Sequence, residues 1–371
     1  MASRFLWQNW CQLANTTVTA SSEEVSYPDN WLKDTLRSKA WRSKTGWTIV
    51  ENFNDKLNFL EGSTFHQTAT LTPGTYTSGT SMAAQIQLQM NAVTELSCEA
   101  YAVTYSALTY KFTIARNTTG YPLGLEFSGG VNSTATPAAD IGFNPSSDLL
   151  SSSSGTDSYI STAITHQSRH FIHFDFSSAK DVHAAILHYS NIPTSAVVKI
   201  QGNTADTWNA PPLSTTMTMG DVHVSWMTSV SAYRHWRFLI DNTKNSAGYT
   251  YLGVPFLGEY LEPSPGISHR FSEDWIELSE VGFSDQGAQF QNEKDRGRHY
   301  KIVFPGLTDT EKNKIKQMAN FVRVGRPFFF SLDPSSDPDD AVYVINLKGI
   351  NIQNVSASYW QASMDLEEAL G

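Results

Sequence analysis

The sequence predicts a mostly β protein: a β-sandwich interrupted by a small α+β unit and followed by a β-rich unit that carries one helix. Three observations lead to this fold class. Residues 166–262 contain alternating apolar segments roughly every ten to fifteen residues, with turn residues between them. Residues 64–165 add a stretch of helical spacing, and a capped helix follows near Thr308. At 371 residues the chain is also too long for one ordinary core.

The sandwich is expected to form from two separated parts of the chain, residues 1–63 and residues 166–262. The first part holds short segments punctuated by turns, with a strand predicted at 47–50. In the second part apolar side chains alternate along several runs, which indicates half-buried strands. These runs are 171–176, 184–187, 197–200, 233–241 and 249–257.

Residues 64–165 are predicted to form the inserted α+β unit. A strand at 68–71 and a Pro73-Gly74 turn precede apolar residues spaced as on a helix, with Ser81 as the expected N-cap. Two alternating runs, 100–105 and 110–114, indicate a hairpin, and residues 145–154 indicate a loop. The helical positions are Met82, Ile86, Met90 and Val93.

Residues 263–371 are predicted to form the C-terminal unit, after a proline-rich linker at 262–266. A helix is expected near 308–324, since Thr308 and Glu311 have the spacing of a capping box. Gly325 is the expected C-cap glycine. Strands are predicted on both sides of the helix, at 300–304, 327–332 and 342–352.

Charge and hydropathy exclude several classes of protein. The net charge is −10 and the basic residues are scattered, whereas nucleic-acid binders concentrate positive charge. No apolar run approaches the roughly 20 residues that span a bilayer, so no membrane insertion is expected. The first residues lack a signal core, and synthesis in a host cytoplasm is expected. Cys11 and Cys98 are interpreted as buried free thiols.

No motif in the sequence predicts catalysis or a cofactor, and we expect a protein that is not an enzyme. The nearest signal to a metal site is a group of histidines, His166, His170 and His173, followed by Asp175. Strand alternation places His173 and Asp175 on one face and His170 on the other. One pair is fewer than the three or four ligands of a zinc site, so no metal site is expected. A second pair, His183 and His188, follows on the next strand.

Three further groups of polar or aromatic residues have both a structural and a functional interpretation. The acidic stretch 333–340 lacks the spacing of a calcium loop and predicts a solvated turn. Asp274 and Glu277 could supply the two carboxylates of a glycosidase, although nothing singles them out. Trp208 and Trp275 are expected in or near loops, where aromatic side chains commonly anchor interfaces; stacking on a sugar ring is the alternative.

Several segments together resemble one known module. They are Ala20-Ser21-Ser22, Trp41-Arg42-Ser43, and the runs 185–191, 196–203, 233–241 and 245–253. Their order is similar to that of the discoidin-like, galactose-binding-fold module found in structural proteins of tailed bacteriophages. In that family the segment after Trp-Arg-Ser runs quickly into the strand that here contains His170, whereas this chain inserts residues 64–165.

The resemblance implies a galactose-binding-like jelly roll in a structural component of a phage virion. It places the chain in the distal tail or baseplate, as a ring of identical copies that contacts other tail or baseplate proteins. Two alternatives stay open: a receptor- or glycan-binding module of the tail that touches a host-surface glycan, and a capsid decoration protein. No ligand motif of the family is matched residue by residue, so catalytic, cofactor-binding and metal residues are all assigned as none.

Overall fold

The computed structural model describes most of the chain. The described ranges are 3–62, 64–94, 100–117, 122–150, 157–220, 222–227, 232–268, 271–277, 279–283, 286, 289–292, 296–337 and 340–369. Cys98 lies outside them, as do residues 151–156, which include part of the predicted loop. Cys11 is buried as a free thiol. Within these ranges, no helix has the length and apolar character needed to cross a membrane.

Short strands dominate the first 160 residues. The N-terminal part contains β1 (Arg4–Asn9), β2 (Thr17–Ala20) and β3 (Trp41–Arg42), with 3₁₀ turns at Trp10–Gln12 and Asp29–Lys33. It is followed by β4 (Trp47–Ile49), β5 (Lys56–Glu61), β6 (Phe65–Thr70), β7 (Gly74–Tyr76), helix α1 (Gly79–Val93), β8 (Tyr101–Ser106), β9 (Lys111–Arg116), β10 (Leu123–Leu125), a 3₁₀ turn at Ser133–Ala135, β11 (Leu149–Leu150) and β12 (Ser158–Ile160).

The later strands are longer. The first set is β13 (His170–Lys180), β14 (Ala184–Ser190), β15 (Val197–Asn203), β16 (Leu213–Thr216), β17 (His223–Trp226), β18 (Tyr233–Asp241) and β19 (Tyr251–Leu261). The second set is β20 (Ser272–Glu277), β21 (Glu280–Phe283), β22 (Gln289–Asn292), β23 (Arg296–Leu307), helix α2 (Asp309–Val322), β24 (Phe328–Ser331), β25 (Ala341–Asn346), β26 (Asn351–Ser356) and β27 (Tyr359–Glu368).

The predicted fold class is confirmed in its main features: the protein is mostly β and contains a β-sandwich, an α+β unit and a C-terminal β-rich unit. In the sandwich, a five-stranded antiparallel sheet of order β16-β15-β18-β13-β2 faces β17, β14 and β19. Even-numbered residues of β13 and β18, such as Phe174, Trp236 and Phe238, fill the space between the sheets. The apolar alternation that predicted these strands therefore marks their core faces.

The inserted unit has its own hydrophobic cluster, in which α1 packs against short antiparallel sheets. This cluster includes Trp47, Leu57 and Phe59, because β4 pairs with β7 and β5 pairs with β6 and β10. The predicted boundary at residue 64 therefore cuts through a packed core, and the packing places the start of the unit near Gly46. That the unit folds separately stays a prediction.

The N-terminal cap of α1 differs from the predicted one. Ser78 is the N-cap and Ser81 lies three residues later: Ser78 Oγ accepts the Ser81 N–H at 3.1 Å, and Ser81 Oγ accepts the Ser78 N–H at 3.3 Å. The predicted N-cap Ser81 is wrong by three residues, because Gly79 and Thr80 already have helical geometry. A reciprocal pair of serines satisfies the same backbone donors as the more familiar Ser and Glu pair.

Helix α2 begins with the predicted capping box of Thr308 and Glu311, and its buried face packs on the C-terminal sheet. Its C-cap, however, is Arg323, whose φ of 48° takes the left-handed position assigned to Gly325. Gly325 also has a positive φ of 84°, and its N–H donates to the Asn346 carbonyl at 3.2 Å.

Strand β1 joins the sandwich to the C-terminal unit. It lies between β19 and β24, so that Phe5 pairs with both Leu261 and Phe330, and one sheet runs continuously from β17 to β20. Gly258 permits this approach, since a Cβ there would lie 2.0 Å from the Gln8 carbonyl oxygen.

The predicted linker is also held in place. Glu262 accepts from Arg4 Nε at 2.7 Å, and the Ser264 N–H donates to Glu311 Oε1 at 2.7 Å. Residues 262–266 therefore form a fixed turn between the two units rather than a free tether, because both of its neighbours bind it.

Candidate binding cleft

A cleft of about 960 Å³ lies between the outer face of the five-stranded sheet and the inserted unit. Strand alternation determines its floor. Even-numbered residues of β13 and β18 point into the sandwich core, so the odd-numbered residues point into the cleft. The floor residues are Thr17 and Thr19 on β2, Phe171, His173 and Asp175 on β13, Gln201 on β15, and His235, Arg237 and Leu239 on β18.

Strand register sets which floor residues are neighbours. Residue 173 pairs with residue 237 and residue 175 pairs with residue 235, which makes His173 and His235 diagonal neighbours. Residue 201 pairs with residue 237 from the other side. The most polar part of the floor therefore gathers residues from three adjacent strands.

Three segments close the cleft from above. Residues 50–53 and the turn at Ser133–Ala135 belong to the inserted unit, and residues 206–211 follow β15. Phe53 packs edge-on against Phe171, with ring centroids 5.2 Å apart. Asn203 holds the third segment, since its Nδ2 donates to the Thr207 carbonyl at 2.5 Å.

An ion pair fastens the inserted unit to the sandwich beside the cleft. Arg169 donates from Nε to Asp140 Oδ1 at 3.1 Å and from Nη2 to Asp140 Oδ2 at 3.0 Å. The Asp140 side chain is fully buried and also accepts from Asn54 Nδ2 at 3.1 Å. A bidentate pair of this kind fixes orientation as well as distance. The roof of the cleft is therefore held in one position over its floor.

Arg237 is a buried cation on the floor. Only 6% of it is exposed, its Nε donates to Gln201 Oε1 at 2.6 Å, and its guanidinium carbon lies 4.4 Å from the centre of the Trp208 ring. Burial lowers the pKa of Arg237 to about 9; the positive charge of Arg169 adds to this effect and Asp206 opposes it. No carboxylate of the described residues lies within ion-pair distance, so a positive charge faces the cleft without a matching anion.

Two histidines and an aspartate converge next to Arg237. His173 Nε2 lies 3.2 Å from His235 Nδ1 and 3.9 Å from Asp206 Oδ1. Trp208 donates from Nε1 to the same aspartate oxygen at 2.7 Å and packs edge-on against His173. Burial lowers the pKa of His173, an effect that Asp206 opposes and that His235 reinforces.

His173 and Asp175 both lie on the floor of the cleft but are not bound to each other. The two residues do share a face, as predicted, but Asp175 accepts two hydrogen bonds from Arg234, both at 2.7 Å. These hydrogen bonds lower the pKa of Asp175 to about 2, while its slight burial acts in the opposite direction. The carboxylate beside His173 is instead Asp206, which lies 33 positions further along the sequence in the loop after β15.

The remaining predicted histidines lie in separate places. His170 faces the sandwich interior, as predicted, lies 3.1 Å from Gln167 Oε1, and has a pKa lowered by burial to about 4. His166 stacks on Tyr110 at 4.4 Å. His183 packs edge-on against Tyr260, while His188 lies between Phe329 and Tyr343. These four histidines therefore form no common site.

The other singled-out residues also lie apart from the cleft, with one exception. Asp274 and Glu277 are on β20, where Glu277 pairs with Arg296. Trp275 is also within β20 rather than near a loop, and 59% of it is exposed. Within the acidic stretch, Asp333 accepts backbone N–H groups in a turn, as predicted. Trp208 is the exception, since it lines the cleft.

Asp206, His235 and Arg237 were not predicted as site residues. His235 and Arg237 occupy alternate positions of β18, as His173 and Asp175 do on β13. The sequence therefore predicts one polar face for each strand. Which residues would be opposite one another depends on the register between β13 and β18, strands separated by about sixty residues of sequence.

Comparisons with known proteins identify no family for the chain. No protein-family model matches it, and no curated protein matches it. Among solved structures, it is similar to a chain described as CpGH89CBM32-6 produced by Clostridium perfringens. That similarity covers 24% of this chain and 69% of the other, with 18% identity and a TM-score of 0.19. This similarity is too slight to support a fold assignment. The assignment of a β-sandwich therefore depends on the strand order described above.

Proposed function

We propose that the chain is a structural component of a tailed-phage virion, located in the distal tail or baseplate and acting by assembly with other proteins. The sequence resemblance supports this role. The structural observation that carries it is the end of the continuous sheet. There β20 is the terminal strand among the described residues, and most of its side chains are exposed. A terminal strand of this kind offers backbone groups to a neighbouring subunit.

Trp275 adds an exposed aromatic side chain to this terminal strand. Its indole is 59% exposed, and Arg296 covers one side of the ring, with 5.5 Å from the guanidinium carbon to the ring centre. Large aromatic and arginine side chains commonly form the centres of protein interfaces. An exposed tryptophan on a terminal strand therefore supports a surface that becomes buried in a particle.

The test compares incorporation into particles with the stability of the isolated protein. Trp275→Ala should leave the melting temperature unchanged, because the side chain is exposed, and should weaken incorporation by about 2 kcal/mol, or about thirtyfold. Leu108→Ala, which truncates a side chain that is 90% exposed on the inserted unit, is the matched control. Normal incorporation of the Trp275 variant would contradict the proposal. Immunogold labelling at the capsid instead of the tail would favour a decoration protein.

A second candidate function is binding of a glycan on the host surface, favoured by the cleft. Trp208 and Phe171 offer aromatic surface, and Arg237 offers an unmatched positive charge. Together they fit a saccharide that carries a carboxylate, since arginine binds carboxylates with two parallel hydrogen bonds.

Calorimetry with an acidic and a neutral oligosaccharide separates the two functions. Glycan binding predicts that the acidic sugar binds, that Arg237→Gln abolishes binding, and that particles with this variant assemble but adsorb poorly. Absence of binding to both sugars would remove this candidate and leave the assembly proposal intact.

A further inference from the structure

Three metal-binding side chains come together at the edge of the cleft from three separate elements. His173 is on β13, His235 is on β18, and Asp206 is in the loop after β15. Their ligand atoms all lie within 4.8 Å of one another. These three residues are brought together by the pairing of separate strands. A run of polar residues on a single exposed loop would not need such pairing.

The spacing of the two histidine nitrogens matches an edge of the coordination tetrahedron of a zinc ion. Zinc–nitrogen bonds of about 2.0–2.1 Å place two ligand atoms about 3.3–3.4 Å apart. His173 Nε2 and His235 Nδ1 are 3.2 Å apart, close to that value. The 3.9 Å from His173 Nε2 to Asp206 Oδ1 is longer by about half an ångström than such an edge. Asp206 can supply this adjustment, because its side chain is 59% exposed.

Neighbouring residues already orient the ligands. Trp208 Nε1 donates to the ligand oxygen of Asp206 at 2.7 Å, and Asn203 holds the loop through the Thr207 carbonyl. Hydrogen bonds from outside the ligand set are what fix ligand orientation in metal sites. His173 is also packed between His235 and Trp208, which restricts its ring.

We propose that His173 Nε2, His235 Nδ1 and Asp206 Oδ1 form a binding site for a divalent transition-metal ion, zinc in the first place. Two imidazoles and a carboxylate suit zinc and its neighbours in the series, whereas magnesium and calcium prefer oxygen ligands. Three protein ligands leave the fourth position of the ion open to the cleft, where a water or an anionic ligand completes it.

Two arginines near the site affect its strength in different ways. Arg234 is paired with Asp175, so its charge is largely balanced. Arg237 has no carboxylate partner among the described residues and disfavours a second cation nearby. We therefore expect weaker binding than in a structural zinc site made of cysteines, and tighter binding when an anion occupies the fourth position.

In the experiment, the EDTA-treated protein (residues 1–371) is titrated with zinc chloride, and the heat of binding is measured by calorimetry. One equivalent should bind, and cobalt(II) should give the intense visible absorption of a tetrahedral site. His235→Asn should weaken zinc binding at least tenfold while leaving the circular dichroism spectrum unchanged. Should that variant fail to fold, Asp206→Asn, in an exposed loop, is expected to weaken binding in the same direction.

The matched control is His66→Asn, which removes an exposed histidine that pairs with Glu126 on the inserted unit. It should bind zinc as the unaltered protein does. The proposal is overturned if no zinc binds below millimolar concentrations, if His235→Asn and Asp206→Asn bind normally, or if His66→Asn abolishes binding.

Discussion

The two sheets of the sandwich share one core but have very different outer faces. The outer face of β14 and β19 is apolar: Ile186, Val254 and Phe256 are buried against Phe329 and Tyr343 of the C-terminal unit. The outer face of the five-stranded sheet is polar and lines the cleft. Both faces come from the same two-residue period, so the period alone does not determine what an outer face packs against.

The outer face of β14 and β19 joins the sandwich to the C-terminal unit, whereas the outer face of the five-stranded sheet leaves polar groups available for binding. Burial of aromatic and aliphatic side chains stabilises the first. On the second, the buried charge of Arg237 has no carboxylate partner among the described residues, and we expect this charge to lower stability. Such an arrangement supports a binding role for the cleft, and substitutions on both faces test the contrast.

The largest effect is expected at the apolar face. Phe256→Ala should reduce the free energy of unfolding by about 3–5 kcal/mol, since the ring is almost fully buried between the sandwich and Phe329. Phe53→Ala, at the cleft, should cost clearly less, because that ring is only partly buried. Urea denaturation of both variants measures the difference. Equal losses of unfolding free energy in the two variants would contradict the proposed difference in packing between the two outer faces.

The second-largest effect is expected from acid, which should weaken the packing of the apolar face around His188. Burial lowers the pKa of His188 from its ordinary value of 6.5 to about 3, with Arg37 and His223 adding to the effect. Neither ring nitrogen has a hydrogen-bond partner among the described residues. Because the unfolded chain binds the proton more readily, this contribution to stability is present above pH 6.5 and is lost as the pH falls toward 3.

His188→Leu should therefore flatten the decline of stability over that pH range by a few kcal/mol, as followed by urea midpoints at several pH values. His66→Asn, which changes an exposed histidine, is the control. An unaltered slope in the His188 variant would show that this imidazole does not resist protonation in the folded protein.

A smaller effect, of opposite sign, is expected at the cleft. Arg237→Met keeps much of the side-chain volume and removes the buried charge, so stability should be unchanged or higher by about 1 kcal/mol. Differential scanning calorimetry measures this. A loss of several kcal/mol would mean that the fold depends on the guanidinium and its bond to Gln201.

The smallest effect is expected where the cleft meets solvent. Asp175→Asn should cost under about 1 kcal/mol, since the Arg234 side chain is 48% exposed and the pair is screened by water. Added salt screens this pair, so the loss of stability on adding salt should be smaller in the variant. A cost above about 2 kcal/mol would place the pair among the structural interactions of the face.

Local patterns were sufficient for much of the fold. Alternation located β13, β14, β15, β18 and β19, and the capping box located the start of α2, because both depend on residues a few positions apart. The start of the inserted unit was missed since Trp47 and Leu57 have the same apolar character whichever core they enter. The site was missed for a related reason: the meeting of His173, His235 and Asp206 depends on strand register and on one loop.

The position of β1 has a consequence for synthesis of the protein. Residues 4–9 leave the ribosome well before their partners at Leu261 and Phe330 are made. Until then Phe5 and Leu6 lack the neighbours that bury them in the complete fold. The sandwich and the C-terminal unit therefore cannot be joined until both partners are made, and we expect closing the long loops between them to be slow. A nascent chain is exposed to chaperones at this strand for longer than at any hairpin of the inserted unit.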